Sequence, residues 1–145
     1  MVRKGWRRRG RPLLILLDTH VLLWQEEGDP KLGQHARAVI GHAFDENEAA
    51  ISPISFWEVA MRIQKGHLNF LSDVAAWRRD LIVRGLREIP VDGDIAVRAG
   101  LLQDMHGDPA DRLIVATALE GHQLVTADRH LLEWSGPLNR LDASR

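Results

Sequence analysis

The sequence has no cysteine, which excludes disulfides, thiolate zinc sites and cysteine nucleophiles and agrees with a reducing compartment. Any metal must therefore be held by oxygen or imidazole. Long hydrophobic runs are also missing. The longest aliphatic stretch, Leu13 to Leu17, falls far short of the roughly 18 apolar residues a membrane span needs. The preceding "RKGWRRRGRP" looks like the start of a secretory signal, but the apolar part is short, ends on Asp18 and lacks a small-residue cleavage site. A cytoplasmic protein is expected. No repeat, low-complexity tract or Gly/Ser/Pro-rich linker divides the chain. With 145 residues and 45% apolar content, one core and one domain are expected over residues 12–142, with a short tail at 143–145.

Acids are absent from residues 1–11, where Arg3, Lys4, Arg7, Arg8, Arg9 and Arg11 form a basic arm. The formal charge of -1 hides this segregation, because the rest of the chain carries 13 basic residues against 20 acids. The arm has the charge to contact nucleic-acid phosphates. Its plainer reading is a disordered start.

Beyond the arm, short aliphatic strands alternate with helical stretches, the pattern of an α/β fold with a parallel sheet covered on both faces. Strands are expected at 13–18, 49–52, 86–90, 122–126 and 138–141. Helices are expected near 19–26, 34–46, 54–65, 72–85, 94–104, 109–120 and 129–134. Such sheets bind ligands at the carboxyl ends of their strands, which turns attention to the residues just after each strand.

The first strand runs into Asp18, and "HQLVT" leads through Ala127 to Asp128, so two strands deliver acids to one edge. After the second strand, Ser55 and Glu58 have the spacing of a capping box, in which Glu58 would only satisfy a first helical turn. In "GDPADRLIVATALE", Asp108 suits an N-cap, Pro109 the first helical position and Asp111 the third. Asp18, Glu58, Asp111 and Asp128 thus all fall at strand exits or helix starts on one side of the sheet. Two bare carboxylates about 4 Å apart repel by roughly 4 kcal/mol at an effective dielectric of about 20. A cluster of four needs protons or cations, and hard oxygen ligands suit Mg²⁺ or Mn²⁺. The chemistry this donor set supports is metal-assisted phosphodiester hydrolysis. Thr19, Ser55 and Thr126 stand beside the acids, where hydroxyls can orient a carboxylate or simply close a turn.

These motifs resemble the PIN-domain ribonucleases, and among them the VapC-type toxins of bacterial toxin–antitoxin pairs. The resemblance rests on "LLDTHVLLW", "ISPISFWEVAMRIQKGHL", "HGDPADRLIVATAL" and "LVTADRHL", and covers nearly all of residues 13–142. It implies a Rossmann-like sheet in the order 3-2-1-4-5 and an acidic Mg²⁺ or Mn²⁺ centre that cuts RNA. The family's acids fall on Asp18, Glu58, Asp111 and Asp128, with Asp108 in support. The resemblance further implies a small cognate antitoxin and a homodimer. Trp57, Met61, Ile63, Leu68, Phe70, Val74, Trp77 and Leu81 are candidates to line the antitoxin's groove, although helical spacing of apolar residues normally marks a core. Ala110 and Arg62 depart from the subgroup's usual aromatic and Lys.

Other residues carry less. The seven histidines form no paired metal spacing, so His20 and His106 are expected beside the acids or facing solvent rather than as ligands. Arg112 and Arg129 suit either an RNA phosphate or a neighbouring carboxylate. A phosphatase using Asp18 as nucleophile would want an acid two residues later, where His20 stands. A noncatalytic interaction module, with the acids as caps, remains the rival class.

Overall fold

The computed structural model describes residues 12–69 and 73–145. Its elements run β1 (Ile15–Leu17), α1 (Thr19–Glu27), α2 (Gln34–Asp45), β2 (Ala49–Ile51), α3 (Pro53–Gln64), α4 (Val74–Val83) and β3 (Arg87–Glu88). They continue with α5 (Gly93–Leu101), α6 (Pro109–Ala118), β4 (Gln123–Thr126), α7 (Arg129–Leu132) and β5 (Arg140–Asp142). The basic arm and Phe70 lie outside the described residues.

All five strands are parallel, in the order β3-β2-β1-β4-β5, so the expected Rossmann-like arrangement holds. The strands are shorter than the apolar runs suggest. Leu13 and Leu14 precede β1, yet the backbone N–H of Leu13 already donates to Gly121 O at 2.8 Å. Central β1 pairs Leu16 with both Ala50 and Leu124. Its side chains alternate between faces, as a two-residue period requires. Leu17, with Ala49, Ile51 and Val125, packs against α1 to α4 through Val21, Ile40, Val59 and Leu81. Leu16, with Ala50 and Leu124, packs against α6 and α7 through Ile114, Val115 and Leu131. Both leucines are fully buried, and burial of each is worth about 1.5–3 kcal/mol. Ile95 and Ala99 of α5 dock on Ala116 of α6 as a smaller third cluster.

Residues 143–145 pack against the domain. Ala143 is buried, and the N–H groups of Gly33 and Ala36 donate to Ala143 O and Arg145 O, each at 2.9 Å. Gly33 is the N-cap of α2 and offers no side chain for that purpose, so the chain's final carbonyls satisfy donors that a helix start leaves open. A Cβ at Gly33 would lie 2.0 Å from Arg145 O, which is why glycine is needed there. Among the described residues no helix is long and apolar enough to cross a membrane.

Candidate functional site

The register Leu17↔Val125 sets the exits of β1 and β4 side by side. Asp18 N–H donates to Val125 O at 3.0 Å, which carries the ladder one residue past β1. Asp18 is then the N-cap of α1 and is 5% exposed. Its Oδ1 accepts from Thr19 N–H at 2.8 Å, and its Oδ2 accepts from Thr126 Oγ1 at 2.7 Å. The Thr126 oxygen in turn accepts from Asp128 N–H at 3.1 Å. Thr126 therefore closes its own turn and orients the neighbouring strand's acid, uniting the two roles left open by the sequence. Asp128 caps α7, accepting from His130 N–H at 2.8 Å.

The capping box expected of Ser55 and Glu58 does not form. The N-cap of α3 is Ser52, whose hydroxyl accepts from Ile54 N–H, and Pro53 occupies the first turn. Ser55 and Glu58 consequently lie inside the helix, which frees them from backbone duty. Thr19 Oγ1 donates to Glu58 Oε1 at 2.5 Å and lies 2.7 Å from Ser55 Oγ. A hydroxyl has one proton. Since that of Thr19 goes to the carboxylate, Ser55 donates to Thr19, giving a directed chain from Ser55 through Thr19 to Glu58.

Asp108 caps α6 as expected, accepting from Asp111 N–H at 3.0 Å. Asp111 is left with its carboxylate free of backbone contacts, and Oδ2 meets His106 Nε2 at 2.8 Å. The His106 ring lies 5.1 Å from that of His130. Arg112 does not form the carboxylate pair that the sequence allowed. Its guanidinium donates to the carbonyls of Ala99, Gly100, Leu102, Met105 and His106 at 2.9 to 3.3 Å. It collects the carbonyls at the end of α5 and the loop beyond, and so fixes the segment that brings His106 to Asp111. Arg129 pairs with Glu133 at 2.6 Å, as the carboxylate alternative anticipated.

Burial pushes the Asp18 carboxyl above the ordinary range, with Asp128 adding to it against the hydrogen bonds of Thr126 and Thr19. Glu58 is likewise raised by burial, opposed by the Thr19 hydroxyl and reinforced by Asp18. Asp111 is pushed up to about 6, chiefly by burial, with the His106 hydrogen bond opposing and Asp18, Asp108 and Asp128 adding repulsion. Asp18 thus acts electrostatically on Glu58 and Asp111 and is acted on by Asp128, although the four acids come from separate elements. Among the described residues, no three His, Asp or Glu side chains stand close enough together to hold a metal ion directly as placed. Mg²⁺ commonly takes only one or two carboxylates and keeps several waters. Carboxylates whose charge is disfavoured by burial and by one another are what a hydrated divalent cation relieves, so the donor set fits such an ion.

Of the apolar groove candidates, Trp77 and Leu81 are buried, while Ile63, Leu68 and Val74 pack partly on the core. Trp57 is 52% exposed. The sequence reading missed Arg112 as an organiser of carbonyls and Ser52 as a cap. The second had a signal, since Pro favours the first helical position and so marks the residue before it.

Comparison with known proteins agrees with this fold. The PIN domain family model matches residues 15–136. Ribonuclease VapC22 of Mycobacterium tuberculosis is 36% identical over 119 residues, covering 81% of this chain and 88% of that protein. Among solved structures, VapBC2 from Rickettsia felis bound to a promoter DNA fragment superposes with a TM-score of 0.65 at 17% identity, over 89% of this chain and 98% of that one. DNA-bound VapBC from Salmonella typhimurium gives 0.64 at 19%, over 89% and 97%. A toxin–antitoxin complex from Klebsiella pneumoniae gives 0.56 at 23%, with the same coverage. At those identities the structures speak to the fold alone. The family match spans most of the chain, and the chain belongs to the PIN domain family.

Proposed function

We propose that this protein is a metal-dependent endoribonuclease that hydrolyses RNA phosphodiester bonds and acts in the cytoplasm as the toxin of a toxin–antitoxin pair. What supports this reading is that Asp18 lies within electrostatic reach of Glu58, Asp111 and Asp128, and that the carboxyls of Asp18, Glu58 and Asp111 are all raised, chiefly by burial. The likeness to a protein named as a ribonuclease supports RNA as the substrate class.

Asp18, Glu58, Asp111 and Asp128 would hold the ion, Mg²⁺ or Mn²⁺. When bound, it supplies a Lewis acid for a phosphoryl oxygen and lowers the pKa of water. The chain's own residues supply orientation. A carboxylate has about four lone-pair sites, and Asp18 commits only two of them to Thr19 N–H and Thr126 Oγ1. The rest serve the centre with the carboxylate's rotation already fixed. Thr19 does the same for Glu58, and His106 for Asp111. Asp108 acts one step removed, as the cap that fixes the first turn of α6 beneath Asp111. Holding these groups before substrate arrives is how a site avoids reorganising during reaction.

The antitoxin is a small protein whose apolar side chains cover the exposed face of α3 around Trp57, and the nuclease itself is a homodimer. The deciding experiment compares RNA cleavage by the wild type with added Mg²⁺ or Mn²⁺, the wild type in EDTA, and Asp18→Asn. Cleavage restored by metal and lost with EDTA and with the variant is expected; activity indifferent to chelation and substitution refutes the enzyme. Harmless expression, with no neighbouring small protein that binds, refutes the toxin role alone.

A further inference from the structure

Beside the acids lies a group of cations that the hydrolytic centre does not use. Glu58 and Arg62 stand four residues apart on α3, a spacing at which a Glu and a subsequent basic residue normally pair across one helical turn. Here the carboxylate turns instead to Thr19. Arg62 is half-buried and within electrostatic reach of Glu58, and among the described residues its side chain makes no hydrogen bond and no ion pair within 4 Å. By contrast Arg78, Arg84, Arg112, Arg129 and Arg140 each hold a carboxylate or a set of carbonyls. Helix α3 packs on α1. There the charges of Arg62 and Lys31 both act on His20, which also feels Asp18 and Asp128. Arg62 on α3 and Lys31 in the loop after α1 thus set positive charge beside the acidic centre, and the Arg62 guanidinium is unengaged.

A guanidinium in that position matches a phosphate, which it binds in a planar, two-pronged fashion. We propose that Arg62 is a substrate-binding residue that grips an RNA backbone phosphate next to the one cleaved, with His20 at the start of α1 beside the same path. This rests on the nuclease reading and adds the direction from which the substrate enters. The acids repel the polyanion, so a neighbouring cation is what lets RNA approach before the ion's charge is shared with it.

The test measures binding apart from turnover. The full-length Asp18→Asn protein is titrated with a short fluorescein-labelled single-stranded oligoribonucleotide across a range of KCl concentrations. Adding Arg62→Ala should weaken binding by about tenfold, or 1.4 kcal/mol. It should also flatten the slope of log affinity against log salt by about 0.7, the value for one single-strand phosphate contact. Arg62→Lys should keep the slope while losing part of the affinity, because charge stays and the fork does not. Arg87→Ala, which removes an exposed charge on β3, should change neither. If the alanine variant does not fold, Arg62→Gln is read in the same way. Equal affinity and slope with and without Arg62, or an equal loss with Arg87→Ala, overturns the proposal while the nuclease reading stands. An Asp18→Asn parent that binds no RNA, from a wild type that cleaves none, overturns both.

Discussion

Replacing Asp111 by Asn should make the metal-free protein more stable and inactive at once. The carboxyl titrates at about 6 in the fold against 3.8 as its reference value. Between those values the native state binds the extra proton, so stability falls as pH rises through the window and the penalty is complete above it. The difference corresponds to about 3 kcal/mol if unscreened. Asp111 is partly open to water, with its side chain 18% exposed, so roughly 1–2 kcal/mol should survive screening. Asn is close to isosteric, still offers an oxygen or an amide N–H to His106 Nε2, and carries no charge. Urea unfolding in EDTA at about pH 7.5 should therefore show Asp111→Asn stabilised by about 1–2 kcal/mol, a midpoint shift of roughly 0.5–1 M. The gap should shrink by more than half at about pH 4.5, where the native wild-type carboxyl is mostly protonated. RNA cleavage by the variant should be abolished under all conditions. A variant that is no more stable than wild type at the higher pH, or a gap independent of pH, refutes the idea that burial and repulsion strain this acid.

Two further substitutions test how the acids are held. Thr19→Val removes the donor to Glu58 and the acceptor of the Ser55 hydroxyl, leaving buried polar groups unpaired at a cost of about 1–2 kcal/mol. Cleavage should fall by roughly tenfold, and Thr19→Ser should restore both rate and urea midpoint; a valine variant at the wild-type rate refutes the tether. Arg112→Lys replaces a guanidinium bonded to five carbonyls with an ammonium that has three donors. It should cost about 2–3 kcal/mol and raise amide exchange across residues 102–107, whereas unchanged protection there would show that the loop holds itself.

The parallel sheet, and the placing of Asp18, Asp111 and Asp128 at strand exits and a helix start, were legible in the sequence because their signals are local: "LLILL" before Asp18, "QLVT" before Asp128, and Asp-Pro before Asp111. Ser55 shows the limit of local pattern. Its spacing to Glu58 satisfies a capping box, but Pro53 fits the first turn only if the cap is Ser52, and the acid then turns inward toward α1. Nothing local marks that turn, since Thr19 and Glu58 meet across 39 residues of chain. Arg112 was unreadable for a related reason. Its acceptors lie at a helix end and in a loop with no periodicity, and a guanidinium offers the same sequence signal whether it faces a phosphate or a set of carbonyls. Similarly, the capping of α2 by Arg145 depends on tertiary approach to Gly33, which no composition of a three-residue segment reveals.

The adjacency of Asp18 and Thr19 has a consequence for how such a site can vary. One peptide unit carries an acid of the first strand and the anchor of an acid on a distant helix, so the two carboxylates share a single handle. A displacement of that unit moves both together, and neither can be retuned alone by altering the loop between them, because there is none. Libraries aimed at changing metal preference or cleavage rate should accordingly randomise positions 18 and 19 jointly with 55 and 58. Single-site scans will record as intolerant several positions that are only interdependent.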